Sequence, residues 1–302
     1  MPSPGVLIWL VPSILTLLLY GVAQGLVKKY SGDVPPARFC LFFIVARSLV
    51  FLGWFFTHPS NVPPFSPEGR AVLWAGVGVY LLDGIGWILY YKSIVLGPIS
   101  IVGTLSAAYP APTVIFARVF LGEALTPLQY VAVTMIIAGC AGLSYEPSSG
   151  PSTSKNRSWI PLAATALILW GAAQTLLKYA YRMPYPSDAG RDVNMTLFAT
   201  FGGAMTLGVY GLLYGRKPAN ATGSTLREWT HSFLPMAVMA GGDLGVIIAT
   251  AAGPVSIVTP LTGAYPIVTV PFAAYLLRER VTKQQIAFMA LVLVGMWLCQ
   301  GS

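Results

Sequence analysis

Three ionisable residues stand in the middle of long apolar stretches: Asp83 in VYLLDGIGW, Asp243 in AGGDLG and Arg47 in FIVARSLVF. An ionised side chain in hydrocarbon costs of order 2.5 to 3.5 kcal/mol on insertion scales, so such a group must face a polar cavity, be paired, or be neutral. For the acids the chemistry this points to is a proton or cation site. The structural alternative is an aspartate capping a backbone kink beside Gly84 or Gly242. A guanidinium does not lose its proton, so Arg47 needs an anion, unless it snorkels to the interface. The spacing of charges predicts that Arg47 pairs with Asp83 or Asp243 and leaves the other acid over. An unpaired acid in low dielectric is held more cheaply protonated than ionised. Asp243 is the expected proton carrier, because its helix has no aromatic stripe and its glycine neighbours would admit water.

Other polar residues fall on shared helical faces. Tyr20, Gln24 and Lys28 lie at i, i+4, i+8, and Trp170, Gln174 and Lys178 repeat that ladder. An aromatic wall with a hydrogen-bonding amide suits a small ligand, and an ammonium at the mouth would meet a carboxylate. The bland alternative for both lysines is snorkelling at a helix end, near the negative end of the dipole. Tyr80, Asp83, Trp87 and Tyr91 form an aromatic stripe around the acid, which lines a cavity or simply packs. Tyr109-Pro110 and Tyr265-Pro266 sit inside apolar runs, where proline frees a carbonyl and kinks the helix. The candidate substrate-binding set is therefore Tyr20, Gln24, Lys28, Trp87, Tyr109, Trp170, Gln174, Lys178 and Tyr265, with Asp83, Asp243 and Arg47 as the ion-coupling set. Glu123 and Glu279, at turns, read as solvated or capping. His58 and His231 lie in loops away from any nucleophile, and no phosphate loop occurs, so no enzyme is expected. The three cysteines, Cys40, Cys140 and Cys299, have no metal or disulfide spacing. No metal and no cofactor is expected.

The elements that must position these residues are membrane spans. Only 9% of the 302 residues are charged and 55% are apolar, with a mean hydropathy of +0.69; a soluble chain has about a quarter charged. The net charge of +8 sits in short loops rather than in a patch for nucleic acid. Ten apolar runs follow one another: Gly5–Val27, Phe39–Thr57, Ala71–Ser93, Ile99–Leu121, Leu128–Ser144, Trp159–Tyr179, Met195–Tyr214, Phe233–Ala252, Val255–Leu277 and Gln285–Cys299. Helices are expected, since backbone in lipid must satisfy its own hydrogen bonds.

The chain also repeats itself. Gly97–Gln129 and Gly253–Gln285 align without a gap at an offset of 156, with 17 of 33 positions identical. The first run recurs at an offset of 150, where Gly21, Ala23, Gln24, Leu26 and Lys28 match Gly171, Ala173, Gln174, Leu176 and Lys178. The expected organisation is a five-helix unit (1–146), a polar linker (147–158) and a second five-helix unit (159–302). An odd number of spans per unit forces the second to enter from the opposite side. That is an inverted-topology repeat, an architecture of secondary transporters whose substrate site lies near the midplane.

The segments LSAAYPAPTVIFARVFLGEALTPLQ and LTGAYPIVTVPFAAYLLRERVTKQQ, with Gly-x-x-x-x-x-x-Lys closing the first helix of each unit, resemble the EamA-type branch of the drug/metabolite transporter superfamily. The resemblance implies an all-α integral membrane protein of ten transmembrane helices in two inverted repeats. It implies a secondary carrier of small metabolites, usually an exporter, working without ATP. The buried charges are not part of the family pattern. Amino acids, amines and aromatic compounds all fit, and the presence of both charge signs gives a weak preference for a zwitterion. The alternatives are a channel or, on the two buried aspartates, an intramembrane aspartyl protease; Ala240 departs from the glycine that the protease pattern G-x-G-D wants. The expected partners are a small-molecule substrate, the lipid bilayer and a coupling proton or cation, in a monomer or homodimer of the cell (inner) membrane. Loops opposite the termini hold twelve Lys and Arg against five on the terminal side. That excess places both termini outside, whereas the resemblance implies that they are cytoplasmic.

Overall fold

The structure, a computed structural model, describes residues 4–30, 36–96, 102, 108–144, 158–215, 225–277 and 281–299. Among these residues there is no strand. The helices are α1 (Pro4–Tyr30), α2 (Pro36–Thr57), α3 (Arg70–Leu96), α4 (Pro110–Leu121), α5 (Pro127–Ser144), α6 (Trp159–Arg182), α7 (Asp188–Gly203), α8 (Val209–Tyr214), α9 (Thr225–Ala252), α10 (Val255–Gly263), α11 (Pro266–Leu277) and α12 (Lys283–Cys299). Seven stretches are long and apolar enough to cross a membrane; Pro110–Leu121, Pro127–Leu143 and Lys283–Cys299 are shorter apolar helices. Trp74, Phe120, Tyr275 and Trp297 are 66% to 85% exposed. Large apolar side chains turned outward at this density suit a surface that meets lipid rather than water. The chain is a multi-pass integral membrane protein. Most of the expected linker, the first half of the fourth apolar run, Glu279 and the side chain of Lys28 lie outside the described residues.

Breaks in the helices follow from local chemistry. Pro266 has no N–H to donate, and the ladder stops and restarts around it: Ala264 N–H donates to Leu261 O (3.2 Å) and Val268 N–H to Tyr265 O (3.0 Å). The expected kink is thus a complete break between α10 and α11, at the aromatic residue that precedes the proline. α4 begins in the same way at Pro110, after Tyr109. The seventh apolar run is longer than its hydropathy predicts. It starts at Asp188, where the Ser187 hydroxyl accepts from Gly190 N–H, and a π-helical turn, Ala204–Gly208, joins α7 to α8. The paired identities Thr126/Thr282 and Gln129/Gln285 are two capping boxes. In each, the amide oxygen of the glutamine accepts from the threonine N–H (2.9 Å) and the threonine hydroxyl accepts from the glutamine N–H (3.2 Å).

Packing is organised around pairs of helices that the sequence repeat equates. α3 lies along α6 as α9 lies along α1; α4 meets α6 as α11 meets α1; α7 meets α3 as α2 meets α9. α5 pairs with α12, and α2 with α7. The result is a bundle whose centre is bounded by α1, α2, α3, α4, α6, α9 and the α10–α11 break.

Candidate functional site

One cavity occupies that centre and, with its opening, encloses about 830 Å³ of empty space. It receives Tyr20 and Gln24 from α1, Arg47 from α2, Asp83 and Trp87 from α3, Trp170 and Gln174 from α6, and Asp243 from α9, with Tyr109 and Tyr265 from the two proline breaks. Ten of the twelve candidate residues therefore meet in one place, although they are spread over almost 250 residues of chain.

The charged pole is built on Arg47. Its side chain is only 1% exposed, with the guanidinium carbon 4.2 Å and 5.3 Å from the ring centroids of Phe43 and Tyr80. Nη1 donates to Asp83 Oδ2 and Nε to Asp243 Oδ2, both at 2.8 Å. This corrects the expected pairing with a single acid: Arg47 bridges both. The planar fork of the guanidinium makes this possible, since its donors point in fixed, divergent directions. The Tyr20 hydroxyl donates to Asp243 Oδ1 at 2.5 Å. Both oxygens of Asp243 are thus engaged, whereas Asp83 gives one oxygen to Arg47 and its side chain is 17% exposed, against 11% for Asp243. The expectation that glycines beside Asp243 admit water is also corrected. A Cβ on Gly242 would lie 2.5 Å from the ring of Tyr20, and one on Gly245 would lie 2.3 Å from the hydroxyl of Thr16. Side chains of α1, not water, fill those notches, and the notch at Gly242 is what lets Tyr20 reach the acid.

The aromatic pole begins at Trp87, one turn along α3 from Asp83. Trp87 is 5.1 Å from Trp170 and 5.8 Å from Tyr90, and Trp170 is 5.4 Å from Tyr90 and 6.2 Å from Tyr109, centroid to centroid. Indole Nε1 of Trp170 and Oε1 of Gln174 are buried at the cavity wall without a hydrogen-bond partner. Neither atom has accessible surface toward the cavity, and Trp170 Nε1 is seated against Gly86 of α3. The expected stripe is right in direction and wrong by one residue. Tyr90, seven positions after Asp83, sits within about 20° of it around a helix of 3.6 residues per turn, whereas Tyr91, at eight, is rotated by about 80°. Tyr90 lines the cavity, and Tyr91 packs against Phe39 instead.

Lys178 does not join the site. Its ammonium donates to the carbonyls of Thr250 (2.9 Å) and Ala251 (3.4 Å), at the end of α9. The negative end of that helix dipole competes successfully for it. Glu123 is capping, but across the repeat. The left-handed Gly122 (φ 66°) ends α4 and turns Glu123 onto the first turn of α10. There it accepts from Ser256 N–H (3.0 Å), Ser256 Oγ (2.6 Å) and Arg182 Nη2 (3.0 Å). The available signal was the identity of Glu123 with Glu279 and of Ser256 with Ser100 in the two repeats. A second tie, Arg38 with Glu228, joins the start of α2 to the start of α9, with Arg38 also donating to Gly215 O at 3.1 Å.

A lipid-facing helical bundle with a polar and aromatic cavity at its centre is an arrangement suited to handling a solute. The EamA-like transporter family matches residues 7–145 and again 157–299, and the chain belongs to that family. It is therefore a membrane transporter of the drug/metabolite transporter superfamily. No curated protein matches the sequence. A crystal structure similar at a TM-score of 0.74 covers 96% of each chain at 17% identity, a likeness of fold alone.

Proposed function

We propose that the protein is a secondary active carrier that moves a small polar or amphipathic organic solute by alternating access, in the direction of export, with exchange of a proton or counter-solute at the carboxylate pair. In this reading the ten apolar runs are ten transmembrane helices in two inverted five-helix units, 1–146 and 159–302, joined by the polar linker, in the cell membrane. The observation that carries it is the convergence of Asp83, Arg47 and Asp243 with both aromatic–amide ladders on one central cavity. The exchange of helix contacts between equivalent elements supports the inverted arrangement, because a two-fold operation maps each contact onto its partner.

Two carboxylates on one guanidinium carry one negative charge in excess. Their protonation belongs to the pair rather than to either acid. An excess charge in low dielectric favours uptake of one proton or one cation, and opening to water on either side lets it leave. The substrate reaches the pair through Asp83, the acid with the single partner. A protease mechanism fits this geometry poorly, since two catalytic aspartates must share a proton directly and here a permanent cation stands between them. The test is counterflow in proteoliposomes containing the purified protein. Saturable, pH-gradient-driven flux without single-channel conductance supports the carrier. Ohmic conductance, or failure of a broad solute panel to give any counterflow, overturns it.

A further inference from the structure

We propose that the cavity selects an organic monocation, an alkyl ammonium carrying an apolar or aromatic body, over zwitterions and anions. This rests on the carrier reading and names its substrate class.

The positive charge that a substrate carboxylate would need is already committed. Arg47 gives Nη1 and Nε to the two aspartates, and its guanidinium carbon lies 4.2 Å and 5.3 Å from the ring centroids of Phe43 and Tyr80. Lys178 is turned to the end of α9. Among the described residues the cavity therefore offers an anion no cation, while the Asp83–Arg47–Asp243 cluster holds two negative charges against one positive. The weak preference for a zwitterion, drawn from the presence of both signs, does not survive this arrangement.

The excess charge is placed for use. Asp83 has one oxygen on Arg47 and is the more exposed of the two acids. It shares a helical face with Trp87 and Tyr90, one and two turns further along α3. Trp170 closes that wall from α6, crossing Trp87 at an interplanar angle of 64° and Tyr90 at 56°. These rings pack on one another, with centroids 5.1 to 5.8 Å apart, and the faces they leave toward the cavity suit a carbon-bearing ammonium group. One negative charge and an aromatic lining ask for the same chemistry.

The test uses full-length protein in detergent and four probes that share a phenylethyl body: phenethylamine, phenylalanine, 3-phenylpropionate and 2-phenylethanol, compared by titration calorimetry. Phenethylamine should bind about tenfold or more tightly than the other three. Asp83→Asn should weaken phenethylamine about tenfold and leave 2-phenylethanol within about twofold, because Arg47 keeps Asp243 and the fold keeps its ion pair. Tetraethylammonium, which has no ring and no N–H, isolates the contribution of the ring faces: Trp170→Leu should weaken it about fivefold and Trp170→Phe much less. Phenylalanine or 3-phenylpropionate binding as tightly as the amine overturns the cation assignment and leaves the carrier reading standing. Absence of binding by every probe overturns the assignment too, whereas the carrier reading fails only with the broad counterflow panel.

Discussion

The two poles of the cavity are built on equivalent pieces of scaffold and carry opposite chemistry. Tyr20 corresponds to Trp170 at the repeat offset of 150, while Gly242 corresponds to Gly86, and Asp243 to Trp87, at 156. In each half a notch at the glycine seats the ring from the facing helix: a Cβ would lie 2.5 Å from Tyr20 at Gly242 and 2.7 Å from Trp170 Nε1 at Gly86. The ring then meets the residue that follows the glycine. In one half that contact is a hydrogen bond, Tyr20 to Asp243 at 2.5 Å; in the other it is a ring pair, Trp170 with Trp87 at 5.1 Å. The backbone repeats and the chemistry does not. Positions that the sequence repeat equates thus present different groups, a carboxylate in one half and an indole in the other. The same comparison revises the pairing of the two acids. At the register that equates Gly86 with Gly242, Asp83 falls opposite Met239, and the aspartates sit about one turn apart, where one guanidinium reaches both.

The comparison breaks most sharply at Arg47. Arg47→Met leaves two buried carboxylates without a cation, and breaking a buried ion pair by removing one partner costs about 3 to 5 kcal/mol. Thermal unfolding in detergent should show the largest destabilisation of any single substitution at the site. Arg47→Lys should recover only part of it, because an ammonium lacks the fork that reaches both acids. A variant as stable as the natural protein would mean that the charged pole is not held as described.

Next in size is the pair Tyr20→Phe and Trp170→Phe, which are equivalent positions. Tyr20→Phe removes a hydrogen bond to a charged group, worth about 1.5 to 3 kcal/mol. Trp170→Phe removes an indole N–H that has no partner in the protein and should cost about 1 kcal/mol in packing. Denaturation midpoints measured side by side should therefore differ in that order. Equal losses would show that the hydrogen bond contributes nothing beyond the ring. Gly242→Ala and Gly86→Ala probe the notches themselves, and overpacking of this kind costs about 1 to 3 kcal/mol. Gly242→Ala should also depress flux more than Gly86→Ala does, because it forces Tyr20 away from the acid. Equal flux in the two would separate the notch from the site's chemistry.

Much of this was legible before any coordinates. Buried charge in a chain that is only 9% charged is conspicuous, so Asp83, Asp243 and Arg47 stand out by cost alone. The ladders were legible because helical periodicity and the repeat both pointed to them. What sequence could not give is angular and relational. Tyr90 replaces Tyr91 through about 100° of helical rotation per residue. The sharing of one guanidinium by two acids depends on where α2 lies between α3 and α9, which no local pattern encodes. Glu123 looked like a loop acid because its partners, Ser256 and Arg182, are contributed by other helices.

The smallest expected effect is also the one that separates the poles from their surroundings. Lys178 completes the second ladder as Lys28 completes the first, and on spacing alone it belongs to the site. In the structure its ammonium serves the last carbonyls of α9, Thr250 and Ala251. A cation at a helix C-terminus contributes about 0.3 to 1 kcal/mol, and Lys178→Met keeps the aliphatic body while removing that charge. The unfolding temperature should fall slightly. Affinity for phenethylamine should stay within about twofold, since the ammonium sits at the end of α9 and does not line the cavity. Lys178→Met would instead tighten amine binding about tenfold if the ammonium faced the cavity and opposed the substrate's charge. That result would place a third charge in the site and restore the ladder as the sequence drew it.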